Sequence, residues 1–115
     1  MFITGYSIRA PSSKDRQEFY HNLVNGNDMT TETQRYPKSY LNLPNRTGTI
    51  PNLEKFDYRF FKYNKNQVDK LDIGVRHLHE VVHEALMDSN NNINSLRGSK
   101  TGVYIGHCFS DYFTR

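Results

Sequence analysis

Three arrangements of side chains in the 115 residues could do chemistry. The first is His79-Glu80-Val81-Val82-His83, a literal H-E-x-x-H. On a helix this spacing sets both imidazoles one turn apart on one face. There they can bind zinc, with the glutamate as the general base of a hydrolase. Such a centre needs a third protein ligand, and no Glu follows Glu84. His107 is the remaining candidate, but a ligand on or just after a strand is not a known partner for this motif. Two ligands alone make a weak site. The plainer reading is a helix flank that carries two histidines, and neither a metal nor a cofactor is expected.

The second arrangement is Cys108 beside His107, which suggests a nucleophile and its base. Neighbours on a strand point to opposite faces, so adjacency argues against a working pair. A small, half-buried thiol is the simpler expectation. The third is a set of cations, Arg35, Lys38, Arg46, Arg59, Lys62 and Lys65, interleaved with Tyr36, Tyr40, Tyr58 and Tyr63. Single-stranded nucleic acid can stack on surfaces of that kind. The competing reading has the rings packing a long loop and the charges solvated, and it is preferred; no nucleic-acid partner is expected. Gly98, Gly102 and Gly106 are too widely spaced to cradle a phosphate, and no P-loop lysine pattern occurs.

The elements that would position these residues can be read from pattern. Phe2 to Ile8 is apolar and runs into turn chemistry at Ala10-Pro11-Ser12-Ser13, so it reads as a strand. Phe19, Leu23 and Val24 fall at helical spacing. They predict a helix over about Lys14 to Val24, capped by Ser13 and stopped by Asn25-Gly26-Asn27. Asp28 to Asn52 is polar, with three prolines and a glycine, and reads as an irregular loop. Phe56-Asp57-Tyr58-Arg59-Phe60-Phe61 is a dense aromatic patch of the kind that plugs into a core or an interface. Asn64 to Leu71 can form a helical turn or two. Asp72 is placed to cap a longer helix over about Ile73 to Asp88, with Val75, Leu78, Val82, Ala85 and Leu86 as its apolar face. Ser89 to Asn92 ends that helix. Thr101 to Gly106 reads as a second strand. Two strands cannot make an independent sheet with both faces covered, so the pattern already suggests part of a larger fold.

Composition sets outer bounds. The length allows one small domain over residues 1–115, with no internal repeat and no second domain. The chain is 36% hydrophobic with mean hydropathy −0.79, polar for a globular protein. Aromatics at 13% argue against intrinsic disorder. The net charge of +3 comes from scattered residues and does not point to nucleic acid. A single cysteine excludes an internal disulfide and fits a reducing compartment. MFITGYSIRAP has neither a secretory leader's pattern nor a membrane span's length, so a cytoplasmic, non-membrane protein is expected. On the same ground the sequon Asn45-Arg46-Thr47 is read as coincidental.

The chain resembles the start of a β-ketoacyl synthase, most of all the ketosynthase of animal-type fatty acid synthases and the related polyketide synthases. The resemblance runs in order along nearly the whole chain. Ile3-Thr4-Gly5-Tyr6-Ser7 with Pro11 is similar to the family's first strand and turn. Glu18-Phe19-Tyr20, Leu23, Gly26 and Asp28 resemble the next helix and its Gly-x-Asp turn. Leu43-Pro44-Asn45-Arg46-Thr47-Gly48 is similar to a segment typical of animal fatty acid synthases. Phe56-Asp57 with Phe60-Phe61 matches Phe-Asp-x-x-Phe-Phe, and Leu71-Asp72 with Arg76 sits at Met-Asp-Pro-Gln-x-Arg. Glu80, Glu84 and Ala85, then Leu96-Arg97-Gly98, then Thr101 to Gly106 match the following helix, turn and strand. Departures occur at Lys62, where the family has Gly, at Lys65 and Ile73, where it has Pro, and at Gly74, where it has Gln. His79 and His83 stand where it has Leu and Tyr.

The resemblance implies the α/β thiolase-like fold, here its N-terminal fragment only, an incomplete sheet with flanking helices. It also implies decarboxylative condensation of acyl and malonyl thioesters in a complete domain, with acyl carrier protein and a homodimer partner. That chemistry uses an acylated cysteine and two histidines, a thiolate nucleophile served by an oxyanion hole. All three lie beyond the strand ending at Gly106, and none maps onto this chain. No catalytic residue is therefore expected here, and the 115 residues alone are expected to be inactive. A non-catalytic ketosynthase-like binding module is the alternative, motivated by the aromatic patch. A zinc hydrolase using His79, Glu80 and His83 is a more distant one.

Overall fold

A computed structural model describes residues 2–34, 36–38 and 40–108. The chain divides into two compact units, Ile8–Asn52 and a second that joins Met1–Ser7 to Leu53–Arg115.

In the first unit, helix α1 spans Arg16–Val24. Its cap is Asp15 rather than Ser13, and the helix starts two residues later than expected. The reason is a reciprocal pair: the Asp15 carboxylate accepts from the Glu18 amide at 2.9 Å, and the Glu18 carboxylate accepts from the Lys14 amide at 2.8 Å. Ser13 is spent elsewhere. It is buried, and its hydroxyl accepts from the Asn22 side chain at 3.1 Å while donating to the Pro11 carbonyl. The stop falls where expected. Gly26 sits at φ 65°, and the Gly26 and Asn27 amides return to Leu23 and Asn22, a Schellman closure.

The segment Asp28 to Asn52, expected to be irregular, contains a hairpin. Strands β1 (Thr30–Glu32) and β2 (Arg46–Gly48) pair antiparallel, with Thr31 opposite Thr47. No apolar alternation announces it. Side-chain bonds close it instead. Arg46 reaches the Thr30 hydroxyl at 3.0 Å, the Thr30 carbonyl at 2.7 Å and Asp28 Oδ2 at 2.7 Å. Asp28 Oδ1 accepts from both the amide and the hydroxyl of Thr30.

The second unit is organised on helix α3, Ile73–Asp88, with the boundaries expected from sequence. Asp72 caps it, accepting from the Gly74 amide at 2.6 Å. At its other end Asn90 turns to φ 56°, and the Ser89 hydroxyl takes the Leu86 carbonyl. A short helix α2, Lys65–Val68, precedes it, closed by a capping box between Asn64 and Gln67. Arg76 then reaches back from α3 to the carbonyls of Leu71 and Val68 at 3.0 and 2.5 Å, the second of which also accepts from the Leu71 amide at 2.9 Å.

Neither expected strand pairs among the described residues, which corrects that reading. Phe2 is 93% exposed and Tyr104 96% exposed. The β-forming composition is present, but a strand needs a neighbouring edge, and the described residues supply none. Gly5 to Ser7 docks on α3 by other means. The Tyr6 amide donates to Asp88 at 3.1 Å and the Ser7 hydroxyl to Glu84 at 2.6 Å. The two-stranded hairpin β1–β2 is the sheet among the described residues. Burial is thin to match. Ala10, Ser13 and Val68 are the buried residues among those described, and the apolar face of α3 is at most half-buried. No helix among the described residues is long and apolar enough to cross a membrane.

Candidate functional site

The densest chemistry lies where the aromatic patch meets α3. Phe-Asp-x-x-Phe-Phe is a single capped turn. Asp57 accepts from the Phe60 amide at 3.0 Å, the bond of an N-cap. The turn ends in a second Schellman closure, with Tyr63 N–H to Tyr58 O at 2.8 Å and Lys62 N–H to Arg59 O at 3.1 Å. That closure needs a residue at positive φ, and Lys62 supplies it at 60°. This is the position where the resembling family has glycine.

The turn sets its rings against the histidines. Phe56 and Phe61 stack in parallel at 5.2 Å, and the His79 ring stands edge-on to Phe61 at 5.5 Å. His83 packs edge-on to Phe60 at 4.8 Å. Both nitrogens of His79 are engaged. Nδ1 lies 2.8 Å from the Val75 carbonyl and Nε2 lies 3.1 Å from the Tyr63 hydroxyl. A carbonyl can only accept, so Nδ1 carries the proton, and in the neutral ring Nε2 takes the hydrogen bond from Tyr63.

This geometry speaks against the zinc reading. A zinc ligand needs a free nitrogen lone pair, and His79 has committed its own to Tyr63. No cluster of three or more potential ligands forms among the described residues. His107 lies instead near the first turn of α3, where its Nε2 would come within 3.4 Å of a Cβ added at Gly74. Cys108 is exposed rather than half-buried, which corrects that expectation.

The basic-aromatic set is dispersed. Arg46 is held in the hairpin, Lys38 meets Glu32 at 3.8 Å, and the Tyr36 hydroxyl donates to the Pro44 carbonyl. The Arg59 guanidinium lies 5.8 Å from the centre of the Tyr58 ring. Arg35 and the side chain of Tyr40 fall outside the described residues. Tyr36 is thus bonded within its own segment, whereas Tyr63 packs against α3.

Two features escaped sequence reasoning. His77 keeps both ring nitrogens buried without a hydrogen bond, with Nδ1 3.7 Å from Glu80 Oε2. The i,i+3 spacing to Glu80 was its only signal. The Tyr63–His79 bond spans 16 residues and had none.

The residues that carried the family resemblance now have physical roles. Asp57 and Asp72 are caps, Arg76 clamps carbonyls, and Gly26 closes a helix. Asp28 and Arg46, from two separate motifs, meet each other. Electrostatics agree: the Asp28 carboxyl is held below the usual carboxylate range, first by its hydrogen bonds from Thr30 and then by Arg46.

Comparison with known proteins bears on what this architecture belongs to. Residues 1–115 match the family described as Beta-ketoacyl synthase, N-terminal domain. The fatty acid synthase of Anser anser anser is 39% identical over 105 residues, covering 90% of this chain and 30% of that protein. "Probable polyketide synthase 14" of Dictyostelium discoideum is 33% identical over 123 residues, covering 96% of this chain and 4% of its own length. Methylphloroacetophenone synthase of Cladonia uncialis is 30% identical over 117 residues. The chain thus spans less than a third of the length of these relatives.

Proposed function

Because the chain belongs to the family of β-ketoacyl synthase N-terminal domains, of the fatty acid and polyketide synthase kind, we propose that it is the opening part of a condensing domain. In this reading it contributes architecture rather than reacting groups. The carrying observation is the family match over residues 1–115. The roles of the motif residues support it, since Asp57, Asp72, Arg76 and Gly26 cap, clamp or close backbone.

The fold proposed is the thiolase-like α/β fold. The segments at Phe2-Ile3 and Val103 to Ile105, apolar and exposed here, would take their places in its sheet. The whole-domain activity proposed is decarboxylative condensation of acyl and malonyl thioesters. Its partners would be an acyl carrier domain and a second copy of the domain, in the cytoplasm. No residue of this chain is assigned to catalysis, and the 115 residues alone do not condense. The test is a condensation assay on the isolated chain with acyl- and malonyl-loaded carrier. No product is expected, and turnover would overturn the assignment.

A binding-module reading draws on one observation. Phe60 is 55% exposed at the end of a rigidly capped turn. Co-purification of the free chain with an intact synthase, lost in Phe60→Ala, is what that reading requires.

A further inference from the structure

We propose that Tyr63 is an activated nucleophile, a site that accepts an acyl group from an activated acyl donor. An activated nucleophile is recognised by three groups in line: the nucleophile, a base within hydrogen-bond reach, and a third group that orients the base. Tyr63, His79 and the Val75 carbonyl form that line. The phenol oxygen lies 3.1 Å from Nε2, and Nδ1 lies 2.8 Å from the carbonyl oxygen. The carbonyl fixes the tautomer, so the lone pair of Nε2 faces the phenol proton.

The surroundings hold the pair in place. The Tyr63 ring stands edge-on to His79 at 5.6 Å, while Phe56 and Phe61 wall the imidazole at 6.3 and 5.5 Å. Tyr63 itself is anchored by its amide, which closes the preceding turn. Both partners therefore sit on fixed backbone rather than on a free loop, and little reorganisation precedes attack. The ring walls also offer apolar surface to an acyl or aryl group.

The step balances without a further reactant. The Tyr63 oxygen attacks the acyl carbon, and its proton passes to His79 Nε2. The bond from the acyl carbon to the leaving group breaks, the leaving group departs with the electron pair, and His79 returns its proton to solvent. The product is an O-acyl tyrosine. This site is independent of the condensing reaction proposed above.

Exposure alone makes the opposite prediction, which gives a sharp test. Tyr104 is 96% exposed and Tyr63 half-buried. The full chain is treated with p-nitrophenyl acetate, and acetylation of each of the eight tyrosines is followed by peptide mass spectrometry. A positioned base gives on the order of a hundredfold. With partial burial set against it, Tyr63 is expected to react about tenfold faster than Tyr104. In urea the difference disappears, and in His79→Phe the Tyr63 rate falls below that of Tyr104. Equal or faster labelling of Tyr104 in the folded wild-type chain overturns the proposal, whether or not the variant folds. So does a Tyr63 rate unchanged by His79→Phe.

Discussion

The two units of the chain are held by different physics. In residues 8–52 the fastenings are polar: Asn22 on Ser13, and Arg46 with Asp28 on Thr30. The Arg46–Asp28 pair is more than half exposed on both sides. In the second unit, rings of Phe56, Phe60, Phe61 and Tyr63 lie against α3, and a glycine lets backbone touch backbone. Exposed polar pairs are individually weak and screened by salt. Packed rings and close backbone approaches are insensitive to salt and intolerant of added volume. The first unit should therefore yield to charge and acid, and the second to steric change.

The largest effect expected is steric. A Cβ at Gly5 would land on the Ala85 carbonyl and 2.5 Å from the Ser89 amide nitrogen. Both are backbone atoms of the end of α3, which cannot give way as a side chain would. Gly5→Val should cost about 3 kcal/mol in urea denaturation, the upper end for overpacking. The same substitution at Gly26, where nothing lies within 4 Å, should cost only the strain of its positive φ. If Gly5→Val is no worse than Gly26→Val, the close approach does not hold the unit together.

The difference between the units also explains what could be read in the sequence. Helix α3 was legible to the residue because its cap, apolar spacing and stop all agree. The hairpin β1–β2 was invisible because Thr30, Thr31, Glu32, Arg46, Thr47 and Gly48 show no apolar alternation. Its determinants are bonds between residues 16 and 18 apart. The segments at 2–8 and 101–106 erred in the other direction. Their composition is that of strands, but pairing depends on a neighbour, which composition does not contain. At the candidate site, H-E-x-x-H was the visible pattern. The partner that decides the state of His79 is Tyr63, placed by a turn rather than by spacing.

A middle-sized effect tests the turn itself. Lys62 holds a left-handed conformation that costs a residue with a Cβ about 1–2 kcal/mol. Glycine removes that cost but adds unfolded-state entropy worth up to about 1 kcal/mol. Lys62→Gly should therefore stabilise by about 0.5–1 kcal/mol, and Lys62→Ala should change little, since alanine bears the same strain. A gain from alanine as large as that from glycine would mean that the lysine charge, not the backbone, is the burden.

The smallest effect separates the parts of the polar lock. The Asp28 carboxyl is lowered from the model-compound value of 3.8, so its folded form favours the charged state. Its contribution is complete above the unfolded value and fades as pH falls through the lowered folded one. In an acid titration followed by NMR, the amides of Thr30 to Glu32 should lose their hairpin shifts only below the ordinary carboxyl value of 3.8, as the folded Asp28 takes up its proton, while those in the middle of α3 stay in place. Hydrogen bonds from Thr30 outrank Arg46 among the causes. Thr30→Val should therefore raise the Asp28 midpoint more than Arg46→Met does. The reverse order would make the guanidinium the principal fastening, and raising the salt concentration should then weaken the hairpin as much as removing Arg46. With the hydroxyl and amide of Thr30 dominant, salt should leave most of the lowering intact, because short hydrogen bonds to a fixed carboxylate are screened far less than a solvated ion pair.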